Sequence, residues 1–83
     1  MPLITKSQAD LMRLPNPSLQ TVEVPNAFNL TEARAWLKKH GYLYQNYRRT
    51  TNFKRFIQAY DVKGASFYSK KLPNGVVLVF QEW

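Results

Sequence analysis

The clearest pattern in the chain is helical. Between Leu30 and His40 the apolar residues Leu30, Ala33, Trp36 and Leu37 recur at spacings of three and four, which gathers them on one face of a helix. Asn29 can cap this run, Glu32 can reach back to the cap, and Phe28 can pack on Ala33 as a hydrophobic staple. Lys38, Lys39 and His40 put positive charge in the last turn, where the helix dipole favours it, and Gly41 supplies a left-handed terminator. The second strong pattern is the unbroken apolar run Val76–Phe80, expected of a strand in the middle of a sheet, buried on both faces and packed against the Trp36 helix. Leu72-Pro73-Asn74-Gly75 reads as the turn before it. The preceding strand, from Ser66, places Tyr68 and Lys70 on one face and Phe67, Ser69 and Lys71 on the other.

The remaining segments are weaker. Leu19–Val24 alternates and carries two valines and a threonine, as a short strand does, and Pro25-Asn26 ends it. Tyr42–Arg49 alternates as a strand with one wet face. Phe53–Tyr60 supports two readings. Phe53, Phe56, Ile57 and Tyr60 have helical spacing, with Asn52 as cap and Gly64 as stop, whereas a strand would have no cleanly apolar face. In the first residues, Ser7 and Asp10 have capping-box spacing, and Leu11, Met12 and Leu14 line a short helical face that Pro15 stops. Residues 1–18 are thus expected to form a flexible or docking arm ahead of a compact domain over 19–83.

Charge changes this picture more than length does. The chain has 83 residues and a net charge of +7. From Arg34 to Lys71 it carries Arg34, Lys38, Lys39, Arg48, Arg49, Lys54, Arg55, Lys63, Lys70 and Lys71 against Asp61 alone. Tyr42, Tyr44, Tyr47, Phe67 and Tyr68 are among the rings threaded through the same stretch. Cations for phosphates interleaved with flat rings for bases suit a nucleic-acid surface. Arg34 and Lys38, four apart on the outer face of the helix, are a like-charge pair that an anionic partner would relieve.

Catalytic chemistry is poorly represented. His40 is the sole histidine and sits at a helix end, the five carboxylates are scattered, and there is no cysteine and no Gly-rich phosphate loop. Neither an enzyme nor a cofactor is expected. No apolar run has the roughly 20 residues of a membrane span, and the N-terminus lacks the basic start and apolar block of a signal peptide, so an intracellular protein is expected. No helix-turn-helix, RRM or zinc-finger signature points to sequence-specific reading.

Three ordered pieces carry a resemblance: Ala33-Arg34-Ala35-Trp36-Leu37-Lys38-Lys39-His40-Gly41-Tyr42, then Arg55-Phe56-Ile57-Gln58, then Lys70-Lys71-Leu72-Pro73-Asn74-Gly75-Val76-Val77-Leu78-Val79. Together they resemble a pattern in small proteins of bacteriophages and of large DNA viruses of eukaryotes, over roughly residues 28–80. The chain departs from that pattern at its end, where Phe80-Gln81-Glu82-Trp83 stands in place of a glycine after the final valines. The resemblance implies that the Arg55-Phe56-Ile57-Gln58 piece is a strand, and implies a viral setting in the host cell or virion. It implies no activity and no catalytic residue.

The expected fold is α+β, one helix packed on an antiparallel sheet of about four strands in the order β-α-β-β-β. The core should contain Trp36, Phe53 or Phe56, Ile57 and Phe80. The expected function is non-enzymatic nucleic-acid binding of low sequence specificity. Arg48, Arg49, Lys54 and Arg55 would form one cationic patch around a turn, extended by Lys70 and Lys71, edged by Arg34 and Lys38, with Tyr44, Tyr47 or Tyr68 stacking on bases. The alternative is a protein–protein module, a virion component or an inhibitor of an acidic host protein. An exposed edge strand would also allow a homo-oligomer.

Overall fold

The computed structural model describes residues 3–83, so Met1 and Pro2 of the expected arm lie outside the described residues. The elements are β1 (Leu3–Ile4), α1 (Lys6–Leu11), β2 (Ser18–Pro25), α2 (Leu30–Lys39), β3 (Tyr47–Arg49), β4 (Phe53–Ile57), β5 (Asp61–Val62), β6 (Ser66–Lys71) and β7 (Val77–Glu82). Five strands form an antiparallel sheet in the order β3-β4-β2-β7-β6, and β1 and β5 form a small parallel pair. The fold is α+β, with one strand more in the main sheet than expected. Phe53–Ile57 is extended, so the sheet, not the helical spacing of its rings, decides that segment: β4 pairs with β2 on one side and β3 on the other.

The α2 helix forms as its sequence dictates. Asn29 Oδ1 accepts from the Glu32 amide at 2.8 Å, and the Asn29 amide donates to Glu32 Oε1 at 3.1 Å, closing the capping box. Gly41 follows with φ 77°, a conformation that a side chain would strain. Ala33 and Leu37 are fully buried against Val22, Val24, Phe56, Val76 and Leu78, while Leu30, Trp36 and Phe80 pack half-buried around them. Trp36 is therefore a flank of the core rather than its centre. Phe53 and Ile57 are half-buried, and Phe56 takes the central place.

Cross-strand register explains why. Val22 pairs with Phe56 and Leu78, and Val24 with Lys54, so these residues share the face that α2 covers. Glu23 pairs with Arg55 and Val77, and Thr21 with Ile57 and Val79, so these share the opposite face. On that second face Thr21 is fully buried, but Glu23, Arg55, Ile57, Val77 and Val79 are only half-buried. Consequently β7 is not buried on both sides: Val77 and Val79 are half-buried, and β2, not β7, is the central strand.

The segment expected as an arm is tied down. Thr5, not Ser7, caps α1, and Gln8, not Asp10, completes the capping box, because Thr5 is the extended residue immediately before the helix. Ala9 and Val62 are each buried but lie outside the main core cluster. Gln81, on the second face of the sheet and fully buried, accepts from the Val62 amide at 2.9 Å and donates to the Tyr60 carbonyl at 2.7 Å. Asn16 bonds the Trp83 backbone through both its amide nitrogen and its oxygen, at 2.5 and 3.2 Å. The β1–β5 pair thereby closes the Gln81 end of the second face, and beyond the buried Thr21 the rest of that face is half open.

Candidate nucleic-acid interface

The open face can be read row by row across the sheet. One row runs Arg48, Arg55, Glu23, Val77, Lys71, and the next runs Ile57, Thr21, Val79, Ser69. Phe67 follows on β6, opposite Gln81. The face thus has cations along one side, an apolar middle of Ile57 and Val79, and a ring at the far edge. Because β3 and β6 are four strand spacings apart, the face is roughly 19 Å wide. A trough of about 790 Å³ lies on it, lined by Gln20, Gln45, Asn46, Tyr47, Arg48, Arg55, Ile57, Asp61, Phe67 and Val79.

The β-bulge at Gln20 helps to shape this trough. The register between β2 and β7 shifts between Leu19 and Thr21, which turns Leu19 to the helix side and leaves Gln20 as the extra residue. The Gln20 carbonyl then accepts from the Gln58 amide at 2.8 Å, while its side chain bonds the Thr21 hydroxyl and donates to Asp61 Oδ1 at 2.6 Å. Asp61 is therefore fixed at one end of the trough, away from the Arg48 row. Gln58 clamps the other wall: its amide donates to the Leu43 carbonyl and accepts from the Leu43 amide, both at 2.8 Å. That pair replaces a strand pairing and holds residues 43–46 beside the end of β4, so the strand expected over Tyr42–Arg49 shortens to Tyr47–Arg49.

The expected cationic patch does not form as one surface. Arg48 and Arg55 share the open face, whereas Arg49 and Lys54 are paired on the helix face. Lys54 is a correction in its own right. It is buried, with Nζ donating to the Phe28 carbonyl at 2.7 Å and lying 3.4 Å from Asn26 Oδ1, so it ties β4 to the start of α2 and cannot reach a phosphate. Arg55 is partly committed: its Nε lies 3.1 Å from Glu23 Oε2, an ion pair half open to solvent and worth at most about 1 kcal/mol. Lys70 lies on the helix face and Lys71 on the open face, both on β6 at the far edge from Arg48. Lys38 is exposed on α2.

Arg34, Tyr44 and Tyr47 do converge with Arg48 and Arg49 at the β3 edge. Arg34 Nε donates to the Tyr44 carbonyl at 3.1 Å, and its guanidinium lies 5.6 Å from the Tyr47 ring centre. Tyr47 in turn stacks on Phe56 with ring centres 5.4 Å apart. Tyr44 packs against the core, and Tyr68 stacks on Phe80 at 5.3 Å on the helix side. Tyr44 is thus half-buried, whereas Tyr47 and Tyr68 each stack on a core ring with one side still exposed. The most exposed ring is Phe67, at 54%. Its place beside Lys71 and Ser69 follows from the alternation of β6, which was the signal available for it. Gln45, Asn46 and Gln20 had no such signal, since a clamp and a bulge bring them to the trough.

No family model matches this chain, and no curated protein or solved structure is significantly similar to it. Its chemistry rests on the geometry alone. His40 stacks on Trp36 at 4.1 Å, with Nδ1 2.8 Å from the Trp36 carbonyl, as a helix-end residue does. Among the described residues no three of His, Cys, Asp and Glu gather where a metal ion could be held, and no helix is long and apolar enough to cross a membrane.

Proposed function

We propose that the open sheet face binds single-stranded nucleic acid, gripping phosphates with little base specificity and performing no catalysis. The observation that carries this reading is the trough that joins Arg48 and Arg55 to the exposed Phe67 ring across an apolar floor. Arg48, with Arg49 and Arg34 around the same edge, supplies phosphate contacts, and Phe67 supplies a platform on which any base can stack. Gln45 and Asn46 add amide donors and acceptors beside the cations. The resemblance to small viral proteins bears on the setting, a host cell or virion, and not on these contacts.

Fluorescence anisotropy with labelled single- and double-stranded DNA and RNA, repeated at several salt concentrations, tests the proposal. Binding should favour single strands and fall steeply with salt, and Arg48→Glu with Arg49→Glu should weaken it and flatten the salt dependence. Binding that ignores both the salt and the charge reversal would overturn it.

One observation favours a second reading, a protein contact. Met12, Leu14, Leu43, Ile57, Ala59 and Tyr60 line a smaller groove of about 350 Å³ next to the open face, and Met12, Leu43 and Tyr60 are exposed. Capture of an acidic protein that is lost in Leu43→Asp but retained in Arg48→Glu would favour that reading.

A further inference from the structure

The two edges of the five-stranded sheet differ in what they offer a second strand. At the β3 edge only Tyr47–Arg49 is extended, and a two-fold pairing centred on it would set Arg48 against Arg48 of the partner subunit. At the other edge β6 is six residues long, contains no proline or glycine, and is exposed at every position. Its hydrogen-bonding phase follows from the hairpin. The Leu72 amide donates to the Val76 carbonyl at 2.7 Å, so Leu72 and, by alternation, Lys70, Tyr68 and Ser66 direct their backbone groups toward β7. Phe67, Ser69 and Lys71 therefore direct theirs outward, with no neighbour in the sheet.

We infer that β6 pairs antiparallel with β6 of a second copy of this chain, about a two-fold axis at Ser69, to join two sheets into one. A two-fold axis normal to the sheet keeps like faces together, so only residues of the same face can be opposed. With the axis at Ser69, Ser69 meets the partner's Ser69 and Phe67 meets the partner's Lys71, and every outward backbone group of both strands finds a partner. On the open face each Lys71 then lies against a Phe67 ring, and on the helix face each Lys70 lies against a Tyr68 ring, an arrangement that rings and cations favour. An axis at Lys71 would oppose two lysines, and one at Phe67 would leave the outward groups of Lys71 unpaired. Edge lysines ordinarily discourage pairing. Here their spacing from Phe67 and Tyr68 makes the strand complementary to itself in one register. A six-residue strand pair is a small interface, so the dimer is expected to be weak and concentration-dependent.

The chain has no cysteine, which permits a direct test without nucleic acid. In the inferred register two Ser69 Cα atoms lie about 5.5 Å apart, within disulfide reach. Ser66→Cys, equally exposed on the same strand, is offset by six residues from its copy and out of reach. Under mild oxidation at equal concentration, Ser69→Cys should form covalent dimer at least roughly tenfold faster than Ser66→Cys. Equilibrium sedimentation of the unmodified chain should show self-association that Ser69→Pro abolishes, with the circular dichroism spectrum unchanged. Equal cross-linking at the two positions, or a chain that stays monomeric at all concentrations, would overturn the inference.

Discussion

Along β4, Lys54 and Phe56 turn toward α2, while Phe53, Arg55 and Ile57 turn away from it. The two sets are interleaved in sequence and alike in composition, each with a cation and an aromatic ring, yet they meet different environments. On the helix side Phe56 is fully buried and even the lysine is enclosed, its Nζ bonded to backbone and side-chain oxygens. On the other side Arg55 and Ile57 remain half open, in a trough with Arg48 and Phe67. What separates structural from available residues in this protein is therefore strand parity and the single covering helix, not residue type. Of the twelve Lys and Arg residues Lys54 alone is buried, and parity overrides residue type at that one position.

The largest effect that would test this contrast is at Phe56. Phe56→Ala removes a ring enclosed by Val22, Leu37 and Leu78 and should cost about 3–5 kcal/mol in urea unfolding, a large part of the stability of so small a protein. Ile57→Ala, one residue along on the open face, should cost less than half as much. Equal costs would mean that a second layer covers the open face in solution.

A smaller and more diagnostic difference lies between two cations. Lys54→Ala should destabilise by about 1–3 kcal/mol, because it leaves the part-buried Phe28 carbonyl without its donor and loosens the stem packing between β4 and α2. Arg48→Ala, exposed on the neighbouring strand, should stay within about 0.5 kcal/mol of the parent. The same pair should exchange rank in nucleic-acid binding, with Arg48→Ala weaker and folded Lys54→Ala near the parent. A Lys54 variant that lost binding at full stability would place that side chain at the ligand instead.

The helix and its cap were legible in the sequence because every signal there is local: Asn29, Glu32 and Gly41 act within a turn or two of one another. The Phe53–Ile57 strand was not decided by its own pattern, since Phe53, Phe56 and Ile57 fit a helical face as well as a strand; pairing with β2 and β3 settles it from outside. The candidate site was half legible. Its charge was evident, but the grouping of Arg48 with Arg49 and of Lys54 with Arg55 by nearness in sequence fails in a strand, where successive side chains point to opposite faces. Residues two apart, or opposed across the sheet as Arg48 is to Arg55, are the ones that meet. Gln58 and Gln81 were unremarkable in the sequence because each acts through one long-range amide contact, with Leu43 and with Val62 and Tyr60.

The smallest change in stability should accompany the most informative change in binding. Phe67 is the most exposed ring of the trough and stands at the sheet edge, where its loss removes little buried surface. Phe67→Ala should therefore unfold within about 0.5 kcal/mol of the parent. If a base stacks there, the same variant should lose roughly 1–3 kcal/mol in affinity for a single strand. Its salt dependence should stay that of the parent, because the ring contributes no counterion release. Arg48→Glu should behave in the opposite way, flattening the salt dependence. Two variants on one face that lowered affinity by different routes would show that cation and ring act on one ligand. Loss of salt dependence in Phe67→Ala would instead mean that the ring only positions Lys71, its neighbour on the same face.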